Sequence, residues 1–211
     1  MVWNMRYRTG RPGAAPVAVT EDELWQRLEW FLKELVPVAE EAGVRLAAHP
    51  DDPPAQMLRG TARLVNTHGK YDRLRAIIDS PANALEFCIG SLAEMPSGDI
   101  YETTRHFARQ GAIAYVHFRN VRGKVPSYVE TFIDEGDVDM TEIVRILRDA
   151  DYDGVLVPDH VPDFSAPSPW HTGNAYTIGY MRALVQNAEA LGPSRSASPR
   201  RETHRHAEAL Q

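Results

Sequence analysis

Two apolar periodicities alternate along this chain. Consecutively apolar runs recur at 44–49, 84–88, 112–118 and 154–157, and the stretches between them carry apolar residues at helical spacing. Val44-Arg45-Leu46-Ala47-Ala48-His49, Ala84-Leu85-Glu86-Phe87-Cys88, Ala112-Ile113-Ala114-Tyr115-Val116-His117-Phe118 and Gly154-Val155-Leu156-Val157 read as parallel strands buried on both faces. Val2, Trp3, Met5 and Tyr7 give residues 1–8 strand character as well, before the chain has made any parallel neighbour for them. The first helix is expected over 20–43: Thr20 and Glu23 form a capping box, and Gly43 stops it. Its inner face reads as Leu24, Leu28, Phe31, Leu32, Leu35 and Val38, with Pro37 bending the last turns. Further helices are predicted near 71–79, 100–110, 140–150 (capped by Asp139) and 174–191, the last with Ile178, Met181, Leu184 and Val185 facing inward. Residues 50–68 and 121–136 read as loops. From Gly192 the chain is Pro, Ser, Arg, Glu and His with almost nothing apolar, so one domain over 1–191 is expected, followed by a disordered tail over 192–211.

Five strands alternating with five helices imply repeated βα units and a parallel sheet. A doubly wound sheet and a (β/α)8 barrel both satisfy the pattern. No strand is followed by a glycine-rich phosphate-binding fingerprint, which argues against a nucleotide-binding doubly wound fold.

Composition narrows the function classes. A chain of 211 residues with 43% hydrophobic content can bury a substantial core. A formal charge of −6 gives no electrostatic reason to expect nucleic acid or an anionic membrane as a partner. No apolar stretch approaches the length of a membrane span, and the N-terminus lacks the order of a signal peptide. Cys88 is the one cysteine, so no intrachain disulfide can form and a cytoplasmic location is expected.

Chemistry is concentrated at the strand ends. His49, Cys88, His117 and Asp159 each close, or nearly close, an apolar run, and an α/β barrel converges such positions at its carboxyl face. Two imidazoles, a thiolate and a carboxylate suit a divalent transition metal, with Mn, Fe and Zn all compatible. Singly, each has a plainer reading, the cysteine as a small buried hydrophobe and the histidines as hydrogen-bonded side chains. Their placement on successive strands is what makes them a set.

Several segments resemble one family. Ala48-His49-Pro50-Asp51-Asp52-Pro53-Pro54, Phe87-Cys88-Ile89-Gly90-Ser91, His117-Phe118-Arg119, Gly136-Asp137-Val138-Asp139-Met140 and Pro158-Asp159-His160 are similar to mannonate dehydratases and occur in that family's order. The resemblance implies a xylose-isomerase-like TIM barrel, a Mn2+ or Fe2+ site, and dehydration of the sugar acid D-mannonate to 2-keto-3-deoxygluconate in hexuronate breakdown. It implies His49, Cys88, His117 and Asp159 as metal ligands. His160, beside Asp159, and Tyr176, which resembles the family's tyrosine before the last helix, are the candidate catalytic acid and base. The plainer alternatives are a ligand-orienting His160 and a Tyr176 that only packs. Arg119 has the planar fork that suits a sugar carboxylate, although a salt bridge would use it equally well. Asn4 and Arg6 could add polar substrate contacts, and Asp51 and Asp52 read first as loop caps.

The chain also departs from the family pattern. Family members carry further βα units ahead of the segment matching Met1 to Arg8, so a partial barrel of about five of the eight units is expected here, with open edges that need covering. A mis-started gene model, a second chain that closes the barrel (including a homo-oligomer) and a reduced, non-catalytic half-barrel are the three accounts of that. Val157-Pro158-Asp159-His160-Val161-Pro162 stands where the family has Arg-Pro-Asp-His-Gly-His. A metal-dependent sugar isomerase or epimerase on the same barrel is the alternative activity.

Overall fold

The computed structural model describes residues 2–4, 18–58 and 60–193. In chain order the elements are β1 (Val2–Asn4), α1 (Glu21–Glu41), β2 (Leu46–Ala48), β3 (Met57–Leu58), β4 (Thr61–Ala62), α2 (Lys70–Arg75), β5 (Asn83–Cys88) and α3 (Ile89–Ala93). There follow α4 (Ile100–Arg109), β6 (Ile113–His117), β7 (Asn120–Lys124), β8 (Ser127–Thr131), α5 (Met140–Asp149), β9 (Val155–Val157) and α6 (Pro169–Gln186).

Four strands form the framework, a parallel sheet in the order β2-β5-β6-β9. Neighbours in the sheet are successive βα units, the connectivity of a barrel wall. The central strands are the most buried, with Ala84, Leu85, Phe87, Cys88 and Val116 at 0% exposure. The hydroxyl of buried Tyr71 donates to the Ala48 and Glu86 carbonyls and so pins β2 to β5. Phe87, Phe107 and Tyr71 pack ring against ring between sheet and helices.

Several expectations need correcting. Of residues 1–8 the described part, Val2–Asn4, does not join the parallel sheet: β1 pairs antiparallel with β8, so the parallel sheet has four described strands. The loop expected over 121–136 is largely the β7–β8 hairpin, and a second small hairpin, β3–β4, interrupts the loop expected over 50–68. The runs at 44–49 and 154–157 are edge strands instead of doubly buried ones, which is why Val44 and Val155 are 52% and 64% exposed. Thr20 caps α1 with Glu23 as expected, but the buried face is Trp25, Leu32, Val36 and Ala39, leaving Phe31 and Val38 exposed. Trp25 sets that rotation, because its indole donates to Glu21 and lies under the Arg73 guanidinium. Helix α6 starts earlier than expected, with Pro169 in its first turn, and its Ile178 and Val185 are exposed. Of the tail expected over 192–211, residues 194–211 lie outside the described residues.

Candidate metal centre

The period of a β-strand decides what meets at the carboxyl end of the sheet. Glu86 and Cys88 share one face of β5, and Tyr115 and His117 share one face of β6. Register then aligns Glu86 with Tyr115 and Cys88 with His117. His117 in turn pairs with Val157, and Asp159 lies two residues beyond it. His49 follows directly on β2.

Donor atoms of His49, Cys88 and His117 all lie within 4.8 Å of one another. Asp159 stands beside that group, its Oδ2 3.3 Å from His117 Nδ1. The structure therefore brings all four expected ligands to one place, three as a tight cluster and Asp159 at its margin.

The donors suit a cation. His49 Nδ1 is 2.5 Å from the Pro50 carbonyl oxygen, which fixes the proton there and leaves Nε2 as the open lone pair. His117 Nδ1 is buried and has no well-directed hydrogen bond among the described residues, despite its closeness to Asp159. A buried nitrogen without a hydrogen bond, beside a carboxylate and in a cluster that also offers a thiol sulfur, is the arrangement a divalent metal would complete. Asp159 adopts φ +59°, a left-handed conformation uncommon outside glycine, just after Pro158. Strain of this kind accumulates at functional sites.

Electrostatics bias the site toward its charged forms. Burial pushes the Cys88 thiol up, but the Arg119 guanidinium and the hydrogen bonds of His117 and His49 bring it down to about 5. Contacts with Asp159 and Cys88 raise His117 to about 10 against the effect of burial. Burial alone would raise Asp159, and the close contact and charge of His117, with His160 and Arg119, hold it below the ordinary value.

These shifts predict how the metal-free chain responds to pH. Cys88 contributes stability that is present above its unfolded value near 9.0 and is lost as pH falls through about 5. His117 contributes stability that is present below its unfolded value of 6.5 and is lost as pH rises through about 10. Urea midpoints should therefore peak between these limits and fall on both sides, and in Cys88→Ala the acid-side fall should shrink.

Arg119 is 2% exposed and holds the surrounding carboxylates. Its Nη1 donates to Glu94 Oε1 at 2.8 Å, its Nη2 donates to Asp52 Oδ2 at 2.6 Å and to Ser91 Oγ at 2.9 Å, and its Nε lies 3.0 Å from Asp159 Oδ2. The clamp expected from Arg119 is thus committed within the protein, and the plainer salt-bridge alternative describes its contacts. Gly90 makes room for it, since a Cβ there would lie 2.4 Å from Nη1. Asp52, read first as a cap, instead joins Arg119 and accepts from the Tyr128 hydroxyl. Asp51 does pin the loop, accepting from the Val65 amide and pairing with Arg63.

A cleft of about 360 Å³ opens above the cluster, lined by His49, Asp52, Pro53, Tyr128, Glu130, Asp159 and His160. A larger hollow of about 500 Å³ sits between α5, the start of β9 and α6, away from the carboxyl ends where barrel sites are built. Within the cleft, His160 Nδ1 lies 2.6 Å from Glu130 Oε1, and its Nε2 is 3.7 Å from Asp159 Oδ1. Tyr176 is not among the lining residues; its hydroxyl donates to Asp134, and its ring packs against Phe132 and Phe164. Asn4 lies in β1 opposite Ser127, and Arg6 lies outside the described residues. Glu86 was not anticipated as a site residue, although its place two positions before Cys88 on the same strand face could have signalled it. Glu94, Tyr128 and Glu130 carried no such signal, since α3 and the β7–β8 hairpin bring them in.

A family model described as D-mannonate dehydratase (UxuA) matches residues 14–192. The chain belongs to that family. Mannonate dehydratases of Streptococcus pneumoniae and Geobacillus thermodenitrificans are 38% and 39% identical over 144 and 145 residues. Each alignment covers 67% of this chain and 39% of the relative, so the chain spans about two fifths of the length of these curated relatives. The crystal structure of mannonate dehydratase from Streptococcus suis serotype 2 superposes with a TM-score of 0.76 at 32% identity, covering 89% of this chain and 56% of that one. An L-ribulose 3-epimerase superposes with a TM-score of 0.58 at 18% identity, covering 82% and 57% of the two chains, and shares the fold. The likeness to mannonate dehydratase thus covers the wall of four strands that carries the donor cluster.

Proposed function

We propose that this chain is a metal-dependent lyase that dehydrates D-mannonate to 2-keto-3-deoxygluconate. The observation that carries the reading is the cluster of His49, Cys88 and His117 donors at the carboxyl end of the sheet, in a member of the D-mannonate dehydratase family. With Asp159 these residues would hold Mn2+ or Fe2+. When bound, the ion supplies a Lewis acid that stabilises the negative charge developing as the proton α to the sugar carboxylate is removed.

The chain's own side chains supply the rest. Glu130 beside His160 Nδ1 fixes that ring's proton and turns Nε2 toward the cleft, so His160 is the group that moves a proton. Asp52 and Tyr128 form a polar wall held rigid by Arg119, against which the substrate hydroxyls orient. Arg119 acts by positioning Asp52 and Asp159. Tyr176 donates to Asp134 and does not line this cleft, so the proton transfer is assigned to His160. A cytoplasmic role in hexuronate breakdown fits the single cysteine, and no helix among the described residues is long and apolar enough to cross a membrane.

The test is a product assay. Incubation with D-mannonate and Mn2+ or Fe2+ should form a 2-keto acid, detected as its semicarbazone, and a chelator should abolish it. His160→Gln should lower kcat by roughly 10²–10⁴-fold with metal content unchanged. Aldose–ketose interconversion or epimerisation without loss of water would replace this reading with the isomerase alternative.

A further inference from the structure

Of the two clustered imidazoles, His117 is the one with a carboxylate close on each side. Its Nδ1 is 3.3 Å from Asp159 Oδ2, at the outer end of the strands, and its Nε2 is 2.8 Å from Glu86 Oε1. Glu86 stands one strand repeat before Cys88, so it lies a layer deeper along the sheet than the cluster. It is itself anchored: the Tyr115 hydroxyl donates to Glu86 Oε2, and the side chain is 14% exposed. His49 Nε2 is 4.0 Å from the same Oε1, which puts Glu86 beneath both imidazoles.

We infer that Glu86 is a positioning residue that accepts a hydrogen bond from the Nε2–H of His117, so that His117 meets the metal through Nδ1 while His49 meets it through Nε2. The inference rests on the metal-binding reading above and assigns a role to a residue outside the four ligands. A carboxylate behind a ligating histidine fixes the ring's tautomer and orientation and raises the basicity of the other nitrogen. Tyr115 completes the chain of contacts by holding Oε2, which leaves Oε1 directed at the imidazole. Two histidines that bind through different nitrogens, each with its second nitrogen held by oxygen, make an asymmetric site in which neither ring can flip without losing a partner.

The experiment uses the full chain loaded with Zn2+, a closed-shell probe, with affinity measured by chelator competition. Glu86→Gln keeps the shape of the side chain and should weaken Zn2+ binding by roughly 10–100-fold, with thermal unfolding of the metal-free chain little changed. Glu86→Ala should weaken it at least as much, and Tyr115→Phe by less. Long-range ¹H–¹⁵N correlation spectra of the Zn2+-loaded wild type should show His117 coordinated through Nδ1 with a proton on Nε2, and His49 the reverse. Coordination of His117 through Nε2, or unchanged affinity in both Glu86 variants, overturns the inference while leaving the metal site intact. Failure of the wild type to bind Zn2+ or Mn2+ at all removes the metal-site reading and this inference together.

Discussion

Cys88→Ala loses tight binding of a divalent ion and keeps its fold. Cys88 is fully buried and occupies no more than a small side chain's space, so alanine fits without a clash. What disappears is a sulfur within reach of two imidazoles, held as thiolate by Arg119. Four-ligand metal sites gain on the order of 10–16 kcal/mol on binding, so one ligand accounts for roughly 3 kcal/mol, about a hundredfold in affinity. The Sγ atom also accepts from the Ser91 amide and hydroxyl at the start of α3, and losing that cap costs about 1 kcal/mol. Metal content after gel filtration and a thermal melt separate the two effects. Full metal occupancy in Cys88→Ala would remove the cysteine from the ligand set.

Arg119→Met has the largest expected effect on stability. The substitution keeps most of the aliphatic volume and removes the cation that, among the described residues, faces Glu94, Asp52 and Asp159 together. Breaking a buried ion pair by deleting one partner costs about 3–5 kcal/mol, because the remaining charge stays buried and unpaired. Burial already raises Glu94 to about 8 even with Arg119 beside it. A carboxyl with a raised folded value contributes stability that is complete below its unfolded value and is lost as pH rises through the folded one. Without the guanidinium, Glu94 rises further, and because its folded value already lies near 8 with Arg119 present, the part of the difference it carries should stay constant between pH 5 and 7 and widen as pH rises past about 8. Urea unfolding below and above that value checks both the size and the sign, and a difference that does not widen on the alkaline side would place the cost elsewhere.

The four strand-end donors were legible because each depends on local facts: an apolar run that ends, and a polar residue at that end. Their convergence needed only parallel register, and β5 beside β6 supplies it. Residues from the other sheet were not legible. Tyr128 and Glu130 sit on a hairpin whose second strand is paired to β1, and that pairing spans most of the chain. Their strand has mixed burial, so no clear apolar alternation announced it. Glu94 was hidden in the same way, as the C-cap of a five-residue helix that looks like a strand's end. Arg119 misled because its sequence neighbours, His117 and Phe118, suggested a fork directed at substrate. Only its three-dimensional surroundings show that the fork is already filled. The rotation of α1 was unreadable for a simpler reason: Trp25 and Leu24 compete for the same face, and the contacts with Glu21 and Arg73 decide between them.

The left-handed backbone at Asp159 subjects that position to two independent filters. The cluster asks for an anionic oxygen, and the φ of +59° tolerates glycine, asparagine or aspartate far better than longer or branched side chains. Asparagine passes the conformational filter and fails the electrostatic one, and glutamate does the opposite. Among the twenty amino acids only aspartate satisfies both, so charge and chain geometry together leave this corner of the molecule a vocabulary of one.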